Sequence, residues 1–300
     1  MPLTLTRRTF LAASAAPALL GAAAGPHLKF PQKPHDRLSV TSWPFRSVLT
    51  GPAAKMDLKE FPGVIRDRFG ILNINPLGSH FKEVTPKYIT DLGSAVTKAG
   101  SHIVDLGLGG GAFFDPDAQV REQAIAKGKQ WIDIASQLGA PSVRQHVSRT
   151  RDYPADVALA ARSLGAMAEY GQKKNIVVNL ENDAPVTEDP FFLVSVIEKV
   201  NSPYLRALPD MGNSLAPSDD AARNEKAVRA MFRHVFNVCH VKDAILDERT
   251  GKVYRVDLAK MFAIAEESKF KGYFTMEPDV HGDPFDATQK LITETMRHLR

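Results

Sequence analysis

Four short apolar stretches in the second half of the chain each end on a side chain that can bind a divalent cation. They are Val177-Val178-Asn179-Leu180-Glu181, Leu205-Arg206-Ala207-Leu208-Pro209-Asp210, Phe236-Asn237-Val238-Cys239-His240 and Gly272-Tyr273-Phe274-Thr275-Met276-Glu277. The steps between Glu181, Asp210, His240 and Glu277 are 29, 30 and 37 residues. A strand, its loop and a helix together take roughly 30 residues in a βα repeat. The four residues therefore sit at equivalent places in successive repeats. In a parallel barrel, equivalent strand ends converge on one mouth. Three carboxylates and an imidazole are costly to gather there, because like charges repel and lose solvent. A bound cation removes that cost.

The rest of the chain has the same alternation. Strand-like stretches are Leu38 to Trp43, Ile71 to Asn75, His102 to Gly107 and Ser142 to Val147. Helical patterns are expected at 57–69, 86–99, 117–138 and 155–173, then at 190–200, 221–235, 258–267 and 284–298. Asp189-Pro190 and Asp283-Pro284 each place an Asp cap before a proline at the first helical position. Eight strands alternating with eight helices over residues 38–300 predict one domain, a (β/α)8 TIM barrel. A doubly wound open sheet is the rival fold. Its nucleotide-binding form needs a Gly-rich first turn, and here the first strand runs into Pro44-Phe45-Arg46. The later run Gly107-Leu108-Gly109-Gly110-Gly111 lacks dinucleotide spacing and is read as a flexible loop at the barrel mouth.

Residues 1–24 read as an export signal. Thr6-Arg7-Arg8-Thr9-Phe10-Leu11 resembles the twin-arginine motif. The apolar run Leu11 to Ala24 is too short to anchor a mature chain in a bilayer. Ala22-Ala23-Ala24 supplies small residues before a cleavage point at Gly25. A periplasmic or other extracytoplasmic location is expected, and no stable membrane anchor after cleavage. Residues 25–37 hold three prolines and two histidines without periodicity, and read as a linker or wrapping arm. The net charge of +4 is mild for 300 residues, and no basic run would track phosphates, so nucleic acid is not an expected partner. A single cysteine, Cys239, excludes an intramolecular disulfide. It is expected to be a buried hydrophobe, because a strand would point it away from His240; a thiolate ligand is the alternative.

Asn179-Leu180-Glu181-Asn182, Pro209-Asp210-Met211-Gly212-Asn213, His240-Val241-Lys242-Asp243 and Thr275-Met276-Glu277, in this order, resemble the xylose isomerase-like TIM-barrel superfamily of sugar isomerases and epimerases. The resemblance covers about residues 38–300. It implies that Glu181, Asp210, His240 and Glu277 hold one divalent cation. Mn²⁺ is the first expectation, with Mg²⁺, Co²⁺ or Zn²⁺ as alternatives, which oxygen-rich donors with one imidazole also suit. It further implies that Glu181 and Glu277 are the catalytic pair, taking and returning a proton next to a carbonyl on opposite faces. The family often has a histidine where Asn213 stands and a glutamate where Asn73 and Asn75 stand, with His80 nearby as a replacement contact.

Further candidates for substrate contact are His146, Lys242, Asn213 and Trp43. Trp43 and Phe45 could form an apolar wall for a sugar face, or ordinary rim packing. His146 ends a strand and is either a substrate contact or a core histidine. Lys242 and Asp243 either bind substrate or form an ion pair beside the site. Arg46 and His281 are weaker candidates at the same mouth. The expected function is a metal-dependent isomerase or epimerase of an unphosphorylated sugar, keto-sugar or cyclitol, a small-molecule carbohydrate. A dehydratase or 3-keto-glycoside lyase on the same scaffold is the alternative, and a non-catalytic sugar-binding protein comes from another class. Assembly as a homo-oligomer is compatible with all three.

Overall fold

The computed structural model describes residues 25–299 apart from 53, 149–151, 184–187, 217, 248–249 and 280–281. The export segment and His281 therefore lie outside the described residues. In chain order the elements are β1 (Leu38–Thr41), α1 (Arg46–Leu49), α2 (Phe61–Phe69), β2 (Asn73–Asn75), α3 (Pro86–Lys98), β3 (His102–Ile103) and β4 (Leu106–Gly111). There follow α4 (Ala118–Gln137), β5 (Ser142–Val147), α5 (Val157–Lys174), β6 (Val177–Glu181), α6 (Pro190–Val200) and β7 (Leu205–Leu208). The chain ends with α7 (Ala221–Phe232), β8 (Val238–Val241), β9 (Ala244–Asp247), β10 (Lys252–Arg255), α8 (Leu258–Glu267), β11 (Tyr273–Met276) and α9 (Pro284–His298).

The strands close into a parallel barrel. β3, β2, β1, β11 and β8 pair in that order, and β4, β5, β6 and β7 form the other arc. Bridges Leu77↔Gly107 on one side and Ala207↔Val235 and Asp210↔His240 on the other join the two arcs. The third barrel strand is split into β3 and β4 at Val104-Asp105. The predicted (β/α)8 barrel is thus the observed fold. Its helices start where acidic caps stand. Asp117, Asp156, Asp189, Asp220, Asp257 and Asp283 each accept a backbone N–H of the first turn, which satisfies donors the helix itself cannot.

Several local expectations are corrected. The glycine run is not a loop but part of β4. A side chain at Gly107 would meet the Arg144 guanidinium at 2.7 Å, and one at Gly111 would meet the Phe113 ring at 2.6 Å, so close approach explains these two glycines. Phe45 is no wall of the mouth. It is fully buried, edge-on to Phe61 and Phe285. Residues 57–60 form a turn before α2 rather than its first turn. Between β8 and α8 an antiparallel hairpin, β9–β10, is inserted where one loop was expected.

Residues 25–37 lie against the barrel. Phe30 packs edge-on against Phe236 and Tyr273, beside Val104, Leu208 and Val238. Arg37 donates to the carbonyls of Phe270 and Gly272, and its guanidinium stands 4.8 Å from the Phe274 ring centre. These contacts explain how a segment without periodicity becomes ordered.

Candidate metal centre

The barrel interior is polar below the mouth, where branched apolar layers are usual. Asn75 donates to the backbone carbonyl and a carboxylate oxygen of Asp105. Ser142 and Asn179 donate to the other oxygen of Asp105, and Asn237 joins Asn179 to Ser142. Burial lifts the Asp105 pKa above its ordinary value, although Ser142 and Arg144 oppose the shift. This layer fixes an amide. With both Asn75 N–H groups directed at Asp105, its Oδ1 faces His240 Nε2 at 2.9 Å. A carbonyl oxygen only accepts, so Nε2 carries the proton and Nδ1 is the atom turned toward the carboxylates. That is the tautomer a metal-binding imidazole needs, held by a hydrogen bond from behind.

Around Nδ1 the other three predicted ligands converge. Glu181 Oε1 lies at 2.7 Å, Glu277 Oε2 at 3.0 Å and Asp210 Oδ2 at 4.0 Å. All four donor atoms fall within 4.8 Å of one another. All four side chains are buried. Asp210 is oriented by its own turn: its Oδ1 accepts the N–H groups of Gly212 at 2.8 Å and Asn213 at 2.7 Å, and its N–H donates to Asn182 Oδ1. With His240 neutral, Glu181 Oε1, Asp210 Oδ2 and His240 Nδ1 are, within this cluster, left without a hydrogen-bond partner, and all three point to the shared centre. Buried polar atoms are normally satisfied, and three orphans on one point are what a cation would satisfy. Hard oxygens with one imidazole suit Mn²⁺, Mg²⁺, Co²⁺ or Zn²⁺, so the residues present fit a single divalent ion.

The electrostatics of the ion-free cluster are strained. Burial opposes ionisation of Glu181, but Arg144 and His240 outweigh it and its pKa falls to about 2. Asp210 is pushed up to about 7 by burial and by Glu181 and Glu277, against Lys242. Burial opposes the charge on His240, yet Glu277 and Glu181 lift its pKa to about 10. Burial likewise disfavours the charged form of Glu277, and Lys242 and His240 reverse this and hold it well below the carboxylate range. A proton on His240 therefore stands in for the cation.

The residues expected to contact substrate gather above this centre. Trp43, His146, Asn213 and Lys242 line one cavity of about 850 Å³ together with Glu181 and Glu277. Lys242 Nζ lies 3.0 Å from Glu277 Oε2 and from Asn213 Oδ1, and 3.5 Å from Asp210 Oδ2. Asp243 instead faces Arg255 of the hairpin at 3.8 Å, outside the site. His80 is buried and its Nδ1 is 2.8 Å from Ser42 Oγ, so it braces the loop after β2 rather than the cavity. Cys239 is buried, and burial raises its thiol pKa well above the ordinary value. It belongs to no ligand cluster among the described residues, as expected of a strand neighbour of His240.

Sequence reasoning missed two residues here. Arg144, on β5, is buried with its guanidinium against Glu181 Oε2. Glu188 reaches back across 42 residues to His146, its Oε1 2.7 Å from Nδ1 while also accepting the Val147 N–H at 2.8 Å. His146 Nε2 is then left 3.7 Å from Glu181 Oε2. Its place two residues before His146, on the same face of the strand, was the available signal for Arg144. Nothing in the spacing marked Glu188.

Comparison with known proteins follows this geometry. The chain matches the Xylose isomerase-like TIM barrel family over residues 69–300. No curated protein matches it by sequence. Among solved structures, D-psicose 3-epimerase with D-tagatose from Clostridium cellulolyticum H10 superposes with a TM-score of 0.71 at 12% identity, covering 88% of this chain and 99% of that one. A Xylose isomerase-like TIM barrel protein from Mycobacterium smegmatis in complex with magnesium gives 0.69 at 15% identity, with 89% and 97% covered. The apo form of 3-keto-D-glucoside 4-epimerase from E. coli gives 0.65 at 12% identity, with 87% and 99% covered. At these identities the structural likeness speaks for the barrel alone, and it is the sequence match over 69–300 that decides membership: the chain belongs to the Xylose isomerase-like TIM barrel family.

Proposed function

We propose that the protein is a metal-dependent isomerase or epimerase of an unphosphorylated sugar, keto-sugar or cyclitol. The observation that carries this reading is the convergence of Glu181, Asp210, His240 and Glu277 at the floor of an open cavity. A divalent ion, Mn²⁺ by preference, would polarise a substrate carbonyl there and favour loss of a neighbouring proton. Glu277 is the residue we assign to take that proton, since it lines the cavity beside Lys242. Lys242 would orient a substrate oxygen together with Asn213. His146, held through Nδ1 by Glu188, keeps Nε2 on the cavity side, where it can pass a proton to or from substrate.

The charge of the wall supports an unphosphorylated substrate. Arg46, Arg144 and Lys242 stand against Glu181, Asp183, Asp247, Glu277 and Asp279. The three cations are engaged: Arg144 with Glu181, Lys242 with Asp210 and Glu277, and Arg46 with the face and carbonyl of Trp43. A divalent ion would bring this lining near neutrality, and its side-chain cations are already committed to other groups, which disfavours a phosphate. Export through the Arg7-Arg8 segment to the periplasm is part of the same reading, because phosphorylated sugars are mainly intracellular.

One observation favours the alternative, elimination by a dehydratase or keto-glycoside lyase. Glu181 has Oε2 on Arg144 and Oε1 on the metal centre, so neither oxygen is open to a substrate proton. Glu277 makes its contacts with Lys242 and His240 through Oε2, which leaves Oε1 as the one oxygen of the pair facing substrate, and one acceptor suits one-face chemistry better than two-face epimerisation. The test is a screen of the metal-loaded protein against free and 3-keto sugars in D₂O. Deuterium entering at a carbon next to the carbonyl is the expected result. Tight sugar binding with no exchange at any carbon would instead identify a binding protein.

A further inference from the structure

The cavity is larger than its catalytic floor requires. About 850 Å³ is near the top of the range of roughly 300–1,000 Å³ that accommodates drug-sized ligands, and exceeds what one pyranose ring fills. The polar groups that could hold one ring, His146, Lys242, Asn213 and Glu277, belong to the floor. The remaining wall has another character. Trp43 stands at the end of β1 with 36% of its surface exposed, and the Arg46 guanidinium lies 4.3 Å from its ring centre. The inserted hairpin contributes Ile245, Leu246 and Asp247 to the same cavity. Its root is pinned by the bridge Ile245↔Asp279 to the loop after β11, so this wall is fixed to the barrel. Tyr254 of the hairpin is buried against Leu215 and Ile245, which anchors its second strand as well.

From these observations we infer that the mouth holds a second subsite, built by Trp43, Arg46 and the β9–β10 hairpin, for a second ring attached to the reacting sugar. The ligand class is a neutral glycoside: a disaccharide or an aryl glycoside whose outer ring packs against the Trp43–Arg46 stack. The inference rests on the carbohydrate reading above. An aromatic platform supplies binding without adding charge, which suits the neutral lining. For an aryl ring, an aromatic pair of this kind raises affinity about two- to tenfold beyond area burial.

The test measures binding to the Mn²⁺-loaded protein by calorimetry. One-ring probes are D-glucose, D-fructose and the methyl D-glucosides; two-ring probes are cellobiose, maltose and the phenyl D-glucosides. The reading is the affinity ratio between two-ring and one-ring probes. In the wild type it should favour the best two-ring probe about fivefold or more. Trp43→Ala should reduce the ratio to below about twofold, and Trp43→Phe should keep most of it. Trp43 is a surface residue, so neither variant threatens the core. The chain has two tryptophans, so Trp131→Phe leaves Trp43 as the sole indole reporter, and two-ring probes should shift its emission. A wild-type ratio near one, or an unchanged ratio in Trp43→Ala, overturns the second subsite while leaving the proposed function intact. Failure of every carbohydrate to bind overturns the proposed function, and the subsite with it.

Discussion

Replacing Arg144 by methionine tests how the centre is held together. Arg144 and Glu181 are 3% and 2% exposed, and their charges are in direct contact. Methionine fills much of the arginine volume but leaves the Glu181 Oε2 carboxylate buried without its partner. Breaking a buried pair from one side costs about 3–5 kcal/mol. His240 and His146 also face Glu181, so the lower end, about 3 kcal/mol, is the expected loss in metal-free protein. For 300 residues, at about 2.1 cal/mol/K of unfolding entropy per residue, that corresponds to a fall in Tm of about 5 °C. A divalent ion beside Glu181 supplies replacement charge, and binding only to the folded state adds stability by mass action. The loss should therefore shrink at saturating Mn²⁺. Arg144→Lys keeps the charge but not the planar fork and should fall between the two. Thermal unfolding of wild type and both variants, followed by circular dichroism with chelator and with Mn²⁺, gives the melting temperatures needed. A metal-free Arg144→Met protein that melts within about 2 °C of wild type would falsify the pairing argument. So would a loss of equal size with and without metal.

Glu277→Gln should lower turnover by about 10²–10⁴-fold even at saturating Mn²⁺, because an amide oxygen can face the ion but cannot take a proton; recovery of near wild-type rate in excess metal would remove the acid–base assignment. Elemental analysis should find one divalent ion per chain, with occupancy lowered by His240→Ala or Glu181→Gln and unaffected by Cys239→Ser. In the ion-free protein the His240 pKa is raised to about 10 by Glu277 and Glu181 against burial, so metal binding at pH 7–8 should release a proton and weaken as pH falls; binding with no proton uptake or release, read in a weakly buffered indicator solution, would contradict this. Changing Arg7 and Arg8 together to lysine should trap the precursor in the cytoplasm, and an undiminished periplasmic yield would remove the export part of the proposal.

The sequence by itself determined the barrel and which four side chains meet at its centre. βα repeats of about 30 residues leave equivalent strand ends on one face, and that is a property of chain length and strand direction, so Glu181, Asp210, His240 and Glu277 could be brought together on paper. Asp caps and proline at N1 likewise act within one turn, and α6 and α9 begin where Asp189-Pro190 and Asp283-Pro284 predicted. Trp43, His146, Asn213 and Lys242 were legible as mouth residues because each follows or ends a strand. What they do in the mouth was not legible. Glu188 meets His146 and Arg144 meets Glu181 across 42 and 37 residues, pairings that no local pattern encodes. Phe45 and Trp43 stand two residues apart with the same aromatic signal, and only packing against Phe61 and Phe285 sends one to the core and leaves the other at the rim. The glycines of β4 looked like loop because glycine usually weakens a strand, whereas the Arg144 guanidinium lies where a side chain at Gly107 would go. Tertiary structure alone also decided the tautomer of His240: Asp105 turns the Asn75 amide, and the amide turns the imidazole, through a buried layer whose members are spread from Asn75 to His240, more than half of the chain, which no single motif spans.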